Sequence, residues 1–493
     1  MGNFIFCMNS NHMTITTTKN MTNDVLLGDD IDAVTTAVVL ATFGHQVQIY
    51  SHKQRLQATL EKYSFEHQVM ALWQLYVNKG CIEVSQLPQK IHTDDADMSV
   101  WQNICQSKVE AIWWFVNDTI QANQQLVNQQ LVNQKKQAQH DAIDWTTNDW
   151  TDAMVTACNT SEHQSVAIVL SGKQPIGYFH QLSQQLHRPW VYYVPFVFLQ
   201  DGQAYHSMLS PFLWLLGEKT PNSGQRVSSL TLLQNHAKQS EVADINTMEF
   251  ARSGIMAMLA TRVSYMNELS RLADAHKVDI TRISHIMGLD SRIGASYLQA
   301  GWGFGGRTLP VEMQLIKQSF AQTHTDSRLI TAVDAINEDQ KELIFRKFWQ
   351  YFDGLIDNKT VLIWGGSYKA GSGRTQNSAI HPLLRLLWSY DIQTLVYADK
   401  ATEELRLTYL QSEQSEQSQP NQPQSVKPKL TLLQHPYERI NDAHALFVIS
   451  WDNAQAVQVA RINDVAIPVF DAKNCFSTSQ VAQLVGDYVG MGR

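Results

Sequence analysis

The sequence predicts an α/β protein of two Rossmann-like, doubly wound domains joined by a long central helix. Three observations predict it. A strand, glycine turn, helix and strand follow one another from Asp24. A second unit of the same kind starts near Lys359. Between them, Asp244 to His276 carries one unbroken helical pattern.

In the first unit, Val25-Leu26-Leu27 is a short buried strand, and Gly28 turns the chain into an apolar helix from Ile31 to Phe43. Gly44 closes that helix and Val47–Tyr50 forms the next strand. This order within roughly thirty residues is a βαβ unit, right-handed with parallel strands. Further strands are read at 111–116, 166–170 and 190–194. The Gln/Asn-rich run 121–139 between the first two is a solvated loop or exposed helix.

The central pattern places Met248, Ile255, Met258, Leu259, Val263, Met266 and Leu269 at helical spacing without a proline. Shorter helices are expected at 280–287 and 311–320. In the second unit, Val361–Trp364 is a strand ending in Gly365-Gly366, followed by a helix at 379–389 and strands at 394–397, 445–449 and 468–470. The Pro/Gln-rich run 411–428 is expected to be a disordered insert. The expected divisions are a disordered leader (1–23), an N-terminal Rossmann-like domain (24–243), a central helical and dimerisation domain with a glycine-rich loop (244–330), and a C-terminal Rossmann-like domain (331–493). The cleft between the halves is the default ligand site.

Composition bounds the function. A chain of 493 residues exceeds one ordinary core, and 44% hydrophobic with 17% charged residues is a globular composition. A net charge of -8 gives no general basic field, so nucleic acid and anionic membrane are not expected partners. Five cysteines are scattered without a C-x-x-C pair, which fits a reducing cytoplasm and neither a disulfide framework nor a metal site. No apolar run is long enough to span a membrane. The N-terminal residues lack the basic and long apolar regions of a secretory signal.

Two segments bear on chemistry. The first βα turn reads Gly28-Asp29-Asp30-Ile31-Asp32-Ala33, where a dinucleotide-binding turn wants G-x-G-x-x-G. Asp30 stands at the second glycine, and three carboxylates crowd the place of a pyrophosphate; capping of the helix is the simpler role for them. Ser51 stands where an acid would read the ribose. The second segment, AGWGFGGRTLPVE (300–312), holds four glycines closed by a proline. It reads as a mobile loop with exposed amides, able to wrap a sugar or phosphate.

GLDSRIG (288–294) followed by AGWGFGGRTLPVE resembles the G-L-D-x-R-I-G and G-x-G-[FY]-G-G-S-C-[FL]-P-K-D motifs of the UDP-glucose/GDP-mannose dehydrogenase family. MEFARSGIMAMLATRVSYMNEL, WGGSYKAGSGRTQNSAIHPLL and DAKN…YVGMGR resemble further motifs of that family, in family order. The resemblance implies NAD-dependent oxidation of a nucleotide-sugar C6 alcohol to a carboxylate through a cysteine adduct, with a substrate such as UDP-glucose and a homodimer built on the central helix. It also implies roles residue by residue. Thr308 falls at the catalytic cysteine, Arg252 at the lysine and Glu312 at the aspartate. Met256 replaces an asparagine and Gln376 an arginine. Gly28, Asp30 and Ser51 fall at cofactor positions, and Arg292, Tyr297, Gly303, Phe304, Gly305, Gly306 and Lys369 at substrate positions.

Three readings stand side by side. The first is a nucleotide-sugar dehydrogenase with an altered mechanism. The second is a non-catalytic relative that binds a nucleotide sugar or a partner in polysaccharide synthesis. The third is an alcohol dehydrogenase that stops at the aldehyde. An alkyl hydroxyl is a far poorer nucleophile than a thiolate, arginine does not shed a proton, and methionine has no amide, so the residue chemistry favours the second.

Overall fold

The computed structural model describes residues 23–87, 95–106, 109–116, 148–410, 429–451 and 457–493. The leader, the 121–139 run and the 411–428 insert lie outside the described residues.

The first domain is built on β1 (Asn23–Leu27), β2 (Gln46–Ser51), β3 (Ile82–Gln86), β4 (Ala111–Val116), β5 (Ala167–Gly172), β6 (Val191–Tyr193), β7 (Leu213–Glu218) and β8 (Gln239–Asp244). They form one sheet in the order β3-β2-β1-β4-β5-β6-β7-β8. Every neighbouring pair is parallel except β6 and β7. β1 and β4 are completely buried or nearly so, as near-continuous apolar runs in a two-faced parallel sheet should be. Helices α1 (Ile31–Thr42), α2 (Lys53–Lys62), α3 (His67–Asn78), α4 (Asp95–Gln106), α5 (Asn148–Thr160), α6 (Tyr178–Gln185), α7 (Ala204–Leu209) and α8 (Ser228–His236) cover both faces. One core sets Val34, Val69, Met208 and Leu230 against the sheet, and the other sets Ile104, Met154, Phe179 and Leu182 against it. That second core brings Cys105 Sγ and Cys158 Sγ to 3.3 Å, a contact their sequence separation hides.

The spine is α9 (Ile245–His276), 32 residues long. Asp244 caps its start by accepting from the Thr247 amide at 3.0 Å, and Lys277 ends it in the left-handed conformation. Against it lie α10 (Ile280–Leu289), α11 (Leu309–Gln322) and α12 (Arg328–Tyr351). The sequence reading did not pick out α12, which runs straight across the expected division at 330/331. Its apolar positions Val333, Ile344, Phe345 and Phe348 serve two cores in succession, first the spine and then the second sheet.

The second domain orders β9 (Thr360–Trp364), β10 (Gln393–Tyr397), β11 (Leu430–Leu432), β12 (Ala445–Val448), β13 (Val469–Asp471) and β14 (Tyr488–Gly490) as β11-β10-β9-β12-β13-β14, all parallel. Its helices are α13 (Ile380–Ser389), α14 (Thr402–Tyr409), α15 (Val459–Asn463) and α16 (Thr478–Val481). Both sheets therefore change winding direction beside their first strand, at β1/β4 and at β9/β12, which is where doubly wound proteins open a ligand crevice. Among the described residues no helix is long and apolar enough to cross a membrane.

Candidate functional site at the interdomain cleft

The crevice of the first sheet begins at Gly28. A Cβ there would come within 2.9 Å of Ala33 Cβ and of Phe115 Cβ, so glycine is needed for α1 to pack on the sheet. Asp30 caps α1: its Oδ1 accepts from the Ala33 amide at 2.8 Å. Burial, then the charges of Asp32 and Asp29, push the Asp30 carboxyl up to about 7. Asp29 lies 3.6 Å from Arg55 on α2.

Asp32 is engaged from outside the domain. Arg307, the residue after the last loop glycine, forks onto it: Nη1 donates to Oδ2 at 3.1 Å and Nη2 lies 2.7 Å from Oδ1. The Nε of Arg307 donates to Asp201 Oδ1 at 3.1 Å, and the other Asp201 oxygen accepts from the Tyr368 hydroxyl at 3.1 Å. The side chains of Arg307, Asp32 and Asp201 are 8%, 9% and 5% exposed. One guanidinium thus joins the α1 turn, the segment before α7 and, through Asp201 and Tyr368, the second domain. Burial pushes the Asp32 carboxyl up, but the charges of Arg307 and Lys173 and the Arg307 hydrogen bond outweigh it, and the net shift is downward.

The glycine loop departs from its expected mobility and exposed amides. Residues 301–307 are buried. The Gly301 amide donates to Asn267 Oδ1 (2.8 Å), the Phe304 amide to Asn337 Oδ1 (2.7 Å) and the Gly306 amide to the Gln376 carbonyl (2.8 Å). Gly306 has φ +82, and a Cβ on it would stand 2.6 Å from the Tyr368 ring. Gly303, Phe304, Gly305 and Gly306 therefore stitch α9, α12 and the second domain together. The domains also touch directly, since a Cβ on Gly202 would lie 2.3 Å from the Gly371 carbonyl oxygen.

Thr308 is half-buried at the start of α11, and its side chain makes no cap. Arg252 and Glu312 do come together, but as partners: they form a buried ion pair between α9 and α11. Lys173 Nζ donates to the Arg307 carbonyl at 3.3 Å. Met256 is buried apolar packing. Glu249 accepts from the Phe179 and His180 amides (2.8 and 3.0 Å) and so caps α6; burial pushes its carboxyl up to about 7 against those bonds.

The remaining expected residues lie apart from this cluster. Arg292 is exposed and pairs with Asp290 at 2.6 Å. Tyr297 is 46% exposed, with φ +60. Lys369 is exposed. Ser51, at the end of β2, is buried, and its hydroxyl has no hydrogen-bond partner. Residues the sequence reading missed are Arg307, Asp201, Tyr368 and Arg374. Arg374, buried, faces Glu404 at 3.4 Å and stacks over Tyr63 at 4.9 Å. The one signal for Arg307 was a cation where the motif has a small residue, read against three carboxylates in the α1 turn. Among the described residues no group of three or more His, Cys, Asp or Glu side chains could hold a metal ion.

NAD does not fit this turn. A pyrophosphate would need the α1 amides and an uncharged approach. Here Asp30 takes a first-turn amide with its own carboxylate, a side chain replaces the second glycine, and the Arg307 guanidinium is committed to Asp32 and Asp201.

Residues 246–339 match the model of the UDP-glucose/GDP-mannose dehydrogenase family, central domain. A UDP-glucose 6-dehydrogenase of Pseudomonas aeruginosa is 28% identical over 301 residues, 60% of this chain and 64% of that protein. A putative UDP-glucose 6-dehydrogenase of Bacillus subtilis is 28% identical over 219 residues, 44% of this chain and 51% of that one. The chain thus matches between about half and two thirds of the length of these relatives. In fold it is similar to a UDP-glucose dehydrogenase from Pyrobaculum islandicum, with TM-score 0.70 at 16% identity, covering 96% of this chain and 98% of that one. It is also similar to a UDP-D-ManNAc dehydrogenase from Pyrococcus horikoshii, with TM-score 0.67 at 13% identity, covering 96% and 99%.

Proposed function

We propose that this chain, which belongs to the UDP-glucose/GDP-mannose dehydrogenase family, binds a nucleotide sugar such as UDP-glucose without oxidising it. The observation that carries this reading is the Arg307 guanidinium seated on Asp32 and Asp201, in the crevice a dinucleotide would need. The reacting positions support it. Thr308 offers no thiol, and Arg252 and Glu312 neutralise each other. The nucleotide would lie in the crevice of the second sheet, where Ser367, Tyr397, Asp399, Lys400 and Trp451 line a cavity beside Lys369. Arg292 and Tyr297 stay available to a sugar nucleotide from outside the cleft.

The chain works as a homodimer in this reading. α9 exposes Phe250, Met258, Tyr265 and Leu272 at spacings of seven or eight residues, an apolar stripe that water would disfavour. A cytoplasmic setting keeps its thiols reduced. Titrating the purified chain separately with UDP-glucose and with NAD, then with both while NADH absorbance is followed, tests the proposal. Binding of the sugar nucleotide without NAD binding is expected. Formation of NADH with any nucleotide sugar would overturn it and restore the dehydrogenase reading.

A further inference from the structure

Two thiols meet at the end of the first domain remote from the cleft. Cys105 is the next-to-last residue of α4, and Cys158 lies in the last turn of α5. The two helices pack on each other and on the sheet face that carries Ile112 and Ile168. Each helix leads into its strand, α4 into β4 and α5 into β5, so the cysteines sit at the amino ends of those strands. The cleft opens at the carboxyl ends. Both cysteines are 0% exposed, and their sulfurs stand 3.3 Å apart. The Ser161 hydroxyl donates to the Cys105 carbonyl at 2.9 Å and fixes the end of α4 on the segment after α5.

A buried cation lies beside the pair. Arg188 is 1% exposed. Its Nε and Nη2 donate to the Cys158 carbonyl at 3.1 and 2.9 Å, and its Nη1 donates to the carbonyls of His163 and Val166 at 2.9 and 3.2 Å. Among the described residues no carboxylate pairs with it. A buried charge needs an answering charge, and a thiolate can supply one. The hydrogen bond from Cys158, with the charge of Arg188, lowers the Cys105 thiol against its burial; the same bond and burial push Cys158 up. The two thiols are therefore unequal, with Cys105 the nucleophile and Cys158 the proton holder.

We propose that Cys105 and Cys158 are a reversible oxidation site, which a low-molecular-weight disulfide such as oxidised glutathione converts to a disulfide that staples α4 to α5. The Cys105 thiolate attacks one glutathione sulfur, forms a mixed disulfide and releases one glutathione thiolate. Cys158 then attacks the Cys105 sulfur and releases the second glutathione, which takes the Cys158 proton. Two protein thiols are oxidised and one oxidised glutathione becomes two reduced ones. Neither cysteine reaches solvent, so the first exchange passes through a local opening of the end of α4. The closed loop joins residues 53 positions apart, which constrains the unfolded chain and raises the stability of the folded one. None of this rests on what the cleft binds.

The test incubates the full folded chain in buffers of graded oxidised-to-reduced glutathione ratio, quenches with acid, alkylates and maps the peptides by mass. A 105–158 linkage is expected, saturating with the ratio and reversed by dithiothreitol. The urea midpoint of the oxidised chain should lie above that of the reduced chain, and the shift should vanish in Cys158→Ser. That variant keeps a hydroxyl donor to Cys105 and should accumulate glutathione at Cys105, whereas Cys105→Ser should leave Cys158 free. A linkage that forms only in urea, linkages of either residue to Cys7, Cys81 or Cys475 instead, or an oxidised chain with an unchanged or lower midpoint overturns the proposal. Glutathione at Cys158 in Cys105→Ser with none at Cys105 in Cys158→Ser overturns the roles assigned to the two thiols.

Discussion

Replacing Arg307 by alanine is the sharpest test of the cleft. The guanidinium carries three contacts to two carboxylates whose side chains are 9% and 5% exposed. Removing one partner of a buried pair leaves charge without compensation and costs about 3–5 kcal/mol. A surface pair would lose about 1 kcal/mol or less. The pH dependence separates this cause from lost packing. In the wild type the Asp32 carboxyl is net lowered, so its contribution is present above the ordinary carboxylate range and is lost only as pH falls through the lowered value. In Arg307→Ala the same carboxyl keeps its burial and loses its partner, so it rises and takes up a proton as pH falls from 7 towards 5. The deficit should therefore shrink between pH 7 and pH 5. Urea denaturation at both pH values, followed by far-ultraviolet circular dichroism, measures it. A deficit below about 1 kcal/mol at pH 7, or one equal at both pH values, refutes the argument. Adding Asp32→Asn to the variant should recover part of the loss, since it removes one of the stranded charges.

Thr308→Cys alone should give no NADH from UDP-glucose and NAD, because the Arg252–Glu312 pair and the Arg307 contacts remain; measurable turnover in a spectrophotometric assay contradicts this. The Asp30 and Glu249 carboxyls, each pushed up to about 7, hold protons in the folded chain that the unfolded chain has already released. Their contribution is complete below the ordinary carboxylate range, falls as pH rises from there to about 7 and changes little above it, so Glu249→Gln should flatten the fall in urea midpoint between pH 5 and pH 7. Cys105 and Cys158, with sulfurs 3.3 Å apart, should pair under oxidised glutathione and lose two titratable thiols in the denatured protein; Cys105→Ser should prevent it, and thiol counts that do not differ contradict it. Tyr265→Asp on the exposed face of α9 should halve the mass measured by light scattering, whereas an unchanged mass removes that face from the dimer.

Both sheets were legible because their signals are local. Val25–Leu27 with Gly28, and Val361–Trp364 with Gly365, each set a buried strand against a glycine turn, and α9 carries 32 residues without a proline. α12 was not picked out because its apolar positions face two cores in turn, so no single stripe persists. β3, β7, β8, β11 and β14 were also missed; for β3, IEVSQ, and β8, QSEVAD, the reason is related, since both are mostly exposed and have no apolar run to announce them. At the site, Asp30 as a helix cap follows from residue type and position alone. The partner of Asp32 does not, since Arg307 lies 275 positions away and only the closed cleft brings it there. The glycines misled for a physical reason. Glycine permits exposed, mobile backbone and also permits close approach, and at Gly306 the Tyr368 ring shows that close approach is what the fold uses.

The departures from the family motifs compensate one another, and that constrains how they can be reversed. Arg307, Arg252 and Lys173 are three cations at the heart of the cleft, and Asp32, Asp201 and Glu312 are the carboxylates that face them. Restoring a small residue at 307 strands Asp32 and Asp201. Restoring a lysine at 252 shortens the reach to Glu312 and exchanges a forked donor for a point charge. Each single change towards the motif residues therefore unbalances a buried charge before it gains any chemistry. A variant that recovers dinucleotide binding must change Asp30, Asp32 and Arg307 together. Asp30→Gly/Asp32→Ala/Arg307→Ser should bind NAD where each single change does not, and binding by any single variant would show that the three act independently.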